Sequence, residues 1–317
     1  MAEALVTNTD YEISVQDYFT GDFINLGSDD NMCGVKFDGV GTPELREAMY
    51  ELSGGDGTRF GIEFFGGITW TITGSIHSGV NGRVAGDADT AWTTWSKLAR
   101  AWSYYPERLT ARGVIPLYFK RPGRQAMMVY GRPNRLDPIT DRSYAGYISY
   151  TATFRQSDPK FYSVTSKEVV VGLDQSYSGG IITNGSAIVL PFTTTSAVPV
   201  TGAVQVSGDT TTHPIIAITG EAVNPVVSYL NSNGDTIWNV RLNATVAAGD
   251  TVVIDTRQWE RSIVNLSDGA SYAGAYVGNK LQDVTLQPGS GLIRFGATSS
   301  NGSANVRVTY KDAWVST

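Results

Sequence analysis

Runs of Val, Ile, Thr and aromatic residues in this chain are cut every few positions by Gly, Pro, Asn or Asp, and this punctuation restricts the fold more than any other property. Between Asn224 and Asp255 the run Pro225-Val226-Val227-Ser228-Tyr229-Leu230 meets the turn Asn231-Ser232-Asn233-Gly234-Asp235. Then come Ile237-Trp238-Asn239-Val240-Arg241-Leu242, Ala248-Gly249-Asp250 and Val252-Val253-Ile254. Side chains that alternate between turn residues cover one face of an antiparallel sheet, so sandwiches or barrels are predicted for most of the molecule. The 35 Gly and 12 Pro supply the turns.

The length of 317 residues exceeds what one hydrophobic core usually supports, which predicts two domains. With 41% hydrophobic, 17% charged and 11% aromatic residues the chain is globular, not disordered. Its single cysteine, Cys33, has no partner for an intramolecular disulfide, so stability must come from packing. No apolar run approaches the ~20 residues needed to cross a bilayer. The start Met1-Ala2-Glu3-Ala4 lacks the basic residues of a secretory signal, and a cytoplasmic site of synthesis is expected.

A net charge of −6 argues against a general nucleic-acid binder. The distribution says more than the sum. Residues 1 to 63 carry 13 acids against Lys36, Arg46 and Arg59, a net of −10, whereas residues 97 to 135 carry nine bases against Glu107, a net of +8. Two explanations stay open: the segments neutralise each other within one fold, or they are complementary faces of successive copies in a homo-oligomer.

Along the chain, the first 35 or so residues predict one or two strands. Thr42 and Pro43 resemble a helix cap and first-turn proline, but Gly54-Gly55 stop the segment within three turns, so 43–52 is helix or extended. From Arg59 to Ile76 the pattern is strand, glycine turn at Gly66-Gly67, strand. Between Asp87 and Ser103, Trp92, Trp95, Leu98, Ala99 and Trp102 recur at spacings of three and four. This predicts an amphipathic helix over about 89–103, capped by Asp89 or Thr90, with its tryptophans plugging a sheet. Strands return at 114–119, 126–130 and 147–154, and the turns between them carry Arg121-Pro122-Gly123-Arg124 and Arg132-Pro133-Asn134-Arg135. Asp158-Pro159 ends the ladder and marks a domain edge, giving domains at 1–165 and 166–317, the second a β-sandwich.

Catalytic vocabulary is sparse. His77 and His213 have no ligand pattern around them, and Cys33 has no partner at zinc spacing. No Gly-x-Ser-x-Gly elbow occurs, and Gly55-Asp56-Gly57-Thr58-Arg59-Phe60-Gly61 lacks the Lys and helix of a phosphate loop. Asp250, Asp255 and Glu260 are the best candidates for a glycosidase pair, but Gly249-Asp250 is turn chemistry and Asp255 ends a strand. No cofactor, metal or catalytic residue is expected. Flat aromatic faces for sugar rings are offered by Trp238, Trp259, Tyr272 and Tyr276, with an inward core position explaining Trp238 at least as well.

Several segments together resemble the distal tail proteins (Dit-like) of long-tailed, non-contractile bacteriophages. They are Trp70-Thr71-Ile72-Thr73-Gly74-Ser75-Ile76, Asp158-Pro159-Lys160-Phe161-Tyr162-Ser163, Asn224-Pro225, and 248–255 from Ala248 to Asp255. Leu286-Gln287-Pro288-Gly289-Ser290-Gly291-Leu292-Ile293-Arg294-Phe295 and Val308-Thr309-Tyr310-Lys311-Asp312-Ala313-Trp314 complete the set. The resemblance implies a mainly β protein whose N-terminal β-sandwich, with one helix and a belt-like arm, closes six copies into a ring. A C-terminal galectin-like or carbohydrate-module-like sandwich would follow. It further implies a non-enzymatic virion hub at the tail tip, assembled in the host bacterial cytoplasm. That hub would join the tail tube protein to the tail-tip hub or tail-associated protein, with DNA only in transit through its channel. Arg121, Arg124, Arg132 and Arg135 are then either candidates for the belt or subunit contact or solvated hairpin tips. A host cell-surface glycan-binding module is the alternative, and a glycoside hydrolase a weaker one.

Overall fold

The computed structural model describes residues 13–27, 32–38, 45–46, 49–51, 58–60, 64–78, 87–121, 123–173, 201–298 and 304–316. It divides into two compact units, Met1–Val164 with Trp314–Thr317, and Thr165–Ala313. The chain thus returns to its first unit at the end, where an edge at 165/166 alone was expected, because Trp314 packs against the first core.

The first unit contains β1 (Ile13–Gln16), β2 (Phe23–Leu26), β3 (Met32–Asp38), β4 (Leu45–Arg46), β5 (Met49–Glu51), β6 (Thr58–Phe60), β7 (Phe64–Phe65) and β8 (Thr69–His77). After α1 (Ala88–Ser103) follow β9 (Ile115–Phe119), β10 (Met127–Ile139), β11 (Tyr147–Gln156) and β12 (Phe161–Ser163). The main sheet runs β2-β1-β9-β10-β11-β8-β3. It is one continuous ladder because β10 is long enough to serve two neighbours, β9 through Met127–Gly131 and β11 through Gly131–Ile139. Alternation does the rest: Trp70, Ile72 and Ile76 of β8 and Ile148, Tyr150, Ala152 and Phe154 of β11 all face the core. Gly74 interrupts that series since a Cβ there would fall on the Tyr150 ring opposite it.

The helix is where the sequence places it, with two corrections. Its N-cap is Asp87, whose carboxylate accepts from the Asp89 N–H at 3.1 Å, rather than Asp89 or Thr90. Its buried face is Ala91, Leu98, Ala101 and Trp102, while Trp95 is half-buried and Trp92 exposed. Residues 91, 98 and 102 lie within about 40° of one another at ~100° per residue, and residue 92 is rotated a further ~100° away. The three tryptophans span about 80°, with Trp102 on the buried face and Trp92 at its exposed margin.

Other expectations change too. Gly66-Gly67 does not turn a hairpin, since β8 pairs with β3 and β11 whereas β7 pairs with β4. Gly67 serves close approach instead: a Cβ there would lie 2.7 Å from the Gln156 carbonyl oxygen. The described residues of 43–52 are strands, not helix. Arg132-Pro133-Asn134-Arg135 is no turn but the middle of β10, with a bulge between Pro133 and Arg135.

The second unit is a two-sheet sandwich. Its strands are β13 (Lys167–Gly172), β14 (Thr201–Val206), β15 (Ile215–Thr219), β16 (Ala222–Asn231), β17 (Thr236–Leu242), β18 (Thr245–Val246), β19 (Thr251–Asp255), β20 (Ser262–Asn265), β21 (Tyr276–Gly278), β22 (Gly289–Thr298) and β23 (Asn305–Tyr310). One sheet is β13-β23-β15-β19-β20; the other is β14-β22-β16-β17-β21 with β18 on β16. Ile216, Ile218, Val252, Ile254, Val306 and Val308 of the first meet Val204, Val227, Tyr229, Trp238, Val240, Ile293 and Phe295 of the second in one core. The turn at 231–235 is fixed locally: Asn231 Oδ1 accepts from the N–H groups of Asn233 and Asp235, both at 2.9 Å, and Gly234 takes φ +87°. Trp238 stacks on Tyr229 and donates from Nε1 to the Thr285 carbonyl at 2.7 Å, so its polar atom is satisfied inside the core.

Candidate assembly surface

A nested series of strand pairs lies in the first unit. Asp38 pairs with Thr71 at the edge of the main sheet, Leu45 with Phe65 and Arg46 with Phe64 in a second two-stranded pair, and Met49 with Phe60 and Glu51 with Thr58 in a third. Residues 38 to 63 contain six acids against Arg46 and Arg59. That stretch is acidic.

The connection from β1 to β2 is a rigid knob. Asp17 is buried, and its carboxylate accepts from Arg100 Nε at 2.9 Å and Nη2 at 2.5 Å and from the Phe19 N–H at 3.0 Å. Backbone bonds close the loop from Asp17 N–H to the Asp22 carbonyl and from Gly21 N–H to the Asp17 carbonyl, both at 2.8 Å. Gly21 sits at φ +76°, a conformation that excludes most side chains. Burial pushes the Asp17 carboxyl up, but the Arg100 guanidinium and the backbone N–H groups outweigh it and hold the pKa below the ordinary value. What this framework presents is apolar: Tyr18 is 59% and Phe19 64% exposed, with Phe19 edge-on to the exposed Tyr104 at 6.3 Å. A shallow pocket beside them is lined by Gln16, Tyr18, Tyr105, Glu107, Ile115 and Pro116. Leu109, 87% exposed, follows Arg108 in the same segment. Sequence reasoning missed this knob, although two aromatics at the centre of Asp17-Tyr18-Phe19-Thr20-Gly21-Asp22, where a turn usually carries polar residues, are its signal.

The four arginines expected at a contact are not gathered together. Arg121 and Arg124 lie in the β9–β10 connection, and Arg132 and Arg135 at the other end of that ladder, beyond the Gly131–Ile115 pair. Arg132 is a clamp: its guanidinium donates to the carbonyls of Gly113 at 2.5 Å, Thr110 at 2.7 Å and Glu107 at 3.2 Å. Arg135 forms an ion pair with Asp137 at the surface, and Arg124 is exposed.

The Asp158–Ser163 segment folds around buried polar groups. Gln156 accepts from Trp70 Nε1 at 2.9 Å and donates to the carbonyls of Asp158 at 2.6 Å and Lys160 at 3.0 Å, while the Tyr162 hydroxyl donates to the Asp158 carboxylate. Burial drives the Asp158 pKa up and the Lys160 pKa down.

In the second unit, Trp259 is buried with the Arg257 guanidinium 5.8 Å from its ring centroid. Tyr272 and Tyr276 are half-buried against the core, and burial pushes the Tyr276 hydroxyl up to about 12. Asp255 is engaged by Arg257 at 2.6 Å, and Asp250 accepts from Asn265 Nδ2 at 3.1 Å. Among the described residues no cluster of three or more His, Cys, Asp or Glu gathers for a metal ion, and no helix is long and apolar enough to cross a membrane.

Solved structures share this arrangement. The Dit protein of phage SPP1, described as a paradigm of the hub adsorption apparatus of phages infecting Gram-positive bacteria, superposes with a TM-score of 0.58 at 11% identity, covering 96% of this chain and 99% of that one. The chain has the fold of that hub protein. A chain of the phage P2 baseplate, in its activated conformation with calcium, gives 0.54 at 10% identity over 95% and 98%. A second structure of the phage p2 baseplate, with strontium, gives 0.49 at 11% identity over 94% and 97%. No family profile matches the sequence. No curated protein matches it either. The Dit-like fold therefore persists here at an identity where sequence comparison finds nothing, and it spans both units.

Proposed function

We propose that this protein is a structural hub of a phage tail that works by closing copies of itself into a ring, with no chemical step. The observation that carries the reading is the Dit-like fold over nearly the whole chain. The acidic sequence of residues 38–63 and an aromatic knob tied by Arg100 to the basic segment 97–135 add to it. Head-to-tail contact between two different faces generates a ring when its rotation closes, and opposite charge selects the correct neighbour. Six copies, a channel for DNA, docking to the tail tube and tail-tip proteins, and assembly in the host cytoplasm belong to this proposal. Arg124 and Arg121 remain candidate contacts; Arg132 has its own role inside the fold.

Mass photometry of the purified protein tests it. The expected species is a multiple near six of 34.1 kDa. A double substitution, Tyr18→Ser with Phe19→Ser, should shift the population to single copies at the same concentration. Single copies of the unaltered protein at every concentration up to about 100 µM, far above the Kd of a specific interface of standard size, overturn the reading.

A further inference from the structure

The two sheets of the second unit treat charge differently. In β13-β23-β15-β19-β20, Lys167 is bonded to Asp312 at 2.8 Å, Arg307 to Glu168 at 3.2 Å and Asp255 to the nearby Arg257 at 2.6 Å. The strands of the other sheet, β14, β22, β16, β17, β21 and β18, contain no Asp or Glu at all, and their charged residues are Arg241 and Arg294. Both are exposed, and among the described residues neither guanidinium takes part in a side-chain hydrogen bond or ion pair. This stands inside a unit where residues 165 to 313 hold eleven acids and eight bases. The only formal charges on the strands of this sheet are therefore positive.

Register places the two guanidiniums on one surface. Arg294 pairs with Ser228, which pairs with Asn239; one step along, Gly296 pairs with Val226, which pairs with Arg241, which pairs with Val277. Residues 292 and 294, 239 and 241, and 226 and 228 alternate with core positions 293, 240 and 227, so all point outward. The arginines are two strands apart and offset by two residues, which puts their Cα atoms about 12 Å apart from spacings of ~4.8 Å per strand and ~3.4 Å per residue. Between them lie Ser228 and Asn239, a hydroxyl and an amide able to exchange hydrogen bonds with a polyol. Val226 and the exposed Leu292 and Val277 supply apolar ledges.

From this geometry we propose that the outer face of the β14-β22-β16-β17-β21 sheet binds an acidic polysaccharide, Arg241 and Arg294 each engaging an acid group while Ser228 and Asn239 meet the sugar hydroxyls between. A guanidinium is suited to this because its fork receives both oxygens of a carboxylate. A nucleic acid fits less well: among the described residues the face has no exposed aromatic ring on which a base would stack, and the surrounding unit is acidic. The site is distinct from Trp259, Tyr272 and Tyr276, and it stands whether or not the protein forms a ring.

The test is calorimetric titration of the full-length protein with a hyaluronan octasaccharide, which carries one carboxylate per disaccharide. Maltooctaose serves as the neutral arm and a single-stranded oligonucleotide as the competing arm. Hyaluronan should bind and maltooctaose should not. Arg241→Ala and Arg294→Ala should each weaken binding about fivefold and together about 25-fold, as expected for independent charge-assisted contacts in partial solvent. Arg294→Lys should recover only part of the affinity, because an ammonium keeps the charge but not the fork. Affinity should also fall as salt rises, as an ionic contact requires. Unchanged melting of the variants verifies the fold, since both side chains are exposed. The proposal is overturned by no hyaluronan binding at millimolar concentration, by equal binding of maltooctaose, by preference for the oligonucleotide, or by a double variant that binds as well as the parent.

Discussion

Asp17 is the point at which stability, pH and the knob meet, and its removal has a calculable signature. Asp17→Ala deletes a buried carboxylate that receives two bonds from Arg100 and one from the Phe19 N–H. Breaking a fully buried pair costs about 3–5 kcal/mol, but the Arg100 side chain is 41% exposed and rehydrates when orphaned. The figure is therefore discounted to about 2 kcal/mol. In a unit of this size that lowers the melting temperature by roughly 4–8 °C. Asp17→Asn keeps the acceptor for the Phe19 N–H and loses the charge, so about half the effect remains. The sign with pH follows from the depressed pKa of this carboxyl. Its stabilisation is present above the unfolded-state value near 3.8 and is lost as pH falls through the lower folded value. Differential scanning calorimetry at pH 7 and pH 2.5 should show the gap between Asp17→Asn and parent wide at the first and narrowing at the second. A gap of the same width at both, or none at pH 7, refutes the assignment of an ionised, arginine-bound Asp17.

Further outcomes follow from single contacts. Arg132→Ala removes the guanidinium donor from the Gly113 carbonyl and leaves the Thr110 and Glu107 carbonyls with one backbone N–H each, and should cost about 1–2 kcal/mol in urea unfolding; Arg132→Lys should recover less than half, because one ammonium cannot reproduce the fork. Gly291→Ala places a methyl 2.3 Å from the Tyr229 ring, and the resulting overpacking should cost about 1–3 kcal/mol in the unfolding of the second unit. Trp238→Phe loses the bond to Thr285, with an expected cost of about 1–2 kcal/mol read from the same unfolding curve.

Much of the second unit was legible because each of its turns is written locally. Asn231 and Gly234 close their loop without help from distant residues, and Trp238 reads as inward from its strand alone. The first unit resisted reading where tertiary contacts outvote local signals. Pro133-Asn134 looks like a turn, yet the strand bulges there and continues, tied by Arg132 to carbonyls some 20 residues upstream in the chain. Gly66-Gly67 looks like a hairpin, but Gly67 answers to a carbonyl of Gln156, far away in sequence. The helix was clear in period but not in phase, because tryptophan hydrophobicity suggests burial at all three positions and the sheet accepts only part of the stripe. For the surface, charge segregation was visible while the knob was not: its order depends on a carboxylate at 17 finding a guanidinium at 100.

The pairing of β13 with β23 bears on how such a protein can change. Lys167 lies opposite Tyr310, so the second unit begins and ends on adjacent strands, and after it Trp314 rejoins the first core. The chain from 165 to 313 is thus an excursion whose two ends already lie side by side, like a bead on a loop of thread. Another sandwich, or a short bridging loop, can be spliced between those ends without drawing the first unit apart, provided Trp314 is kept. The surface of the excursion is then free to diverge while the scaffold that carries it stays the same.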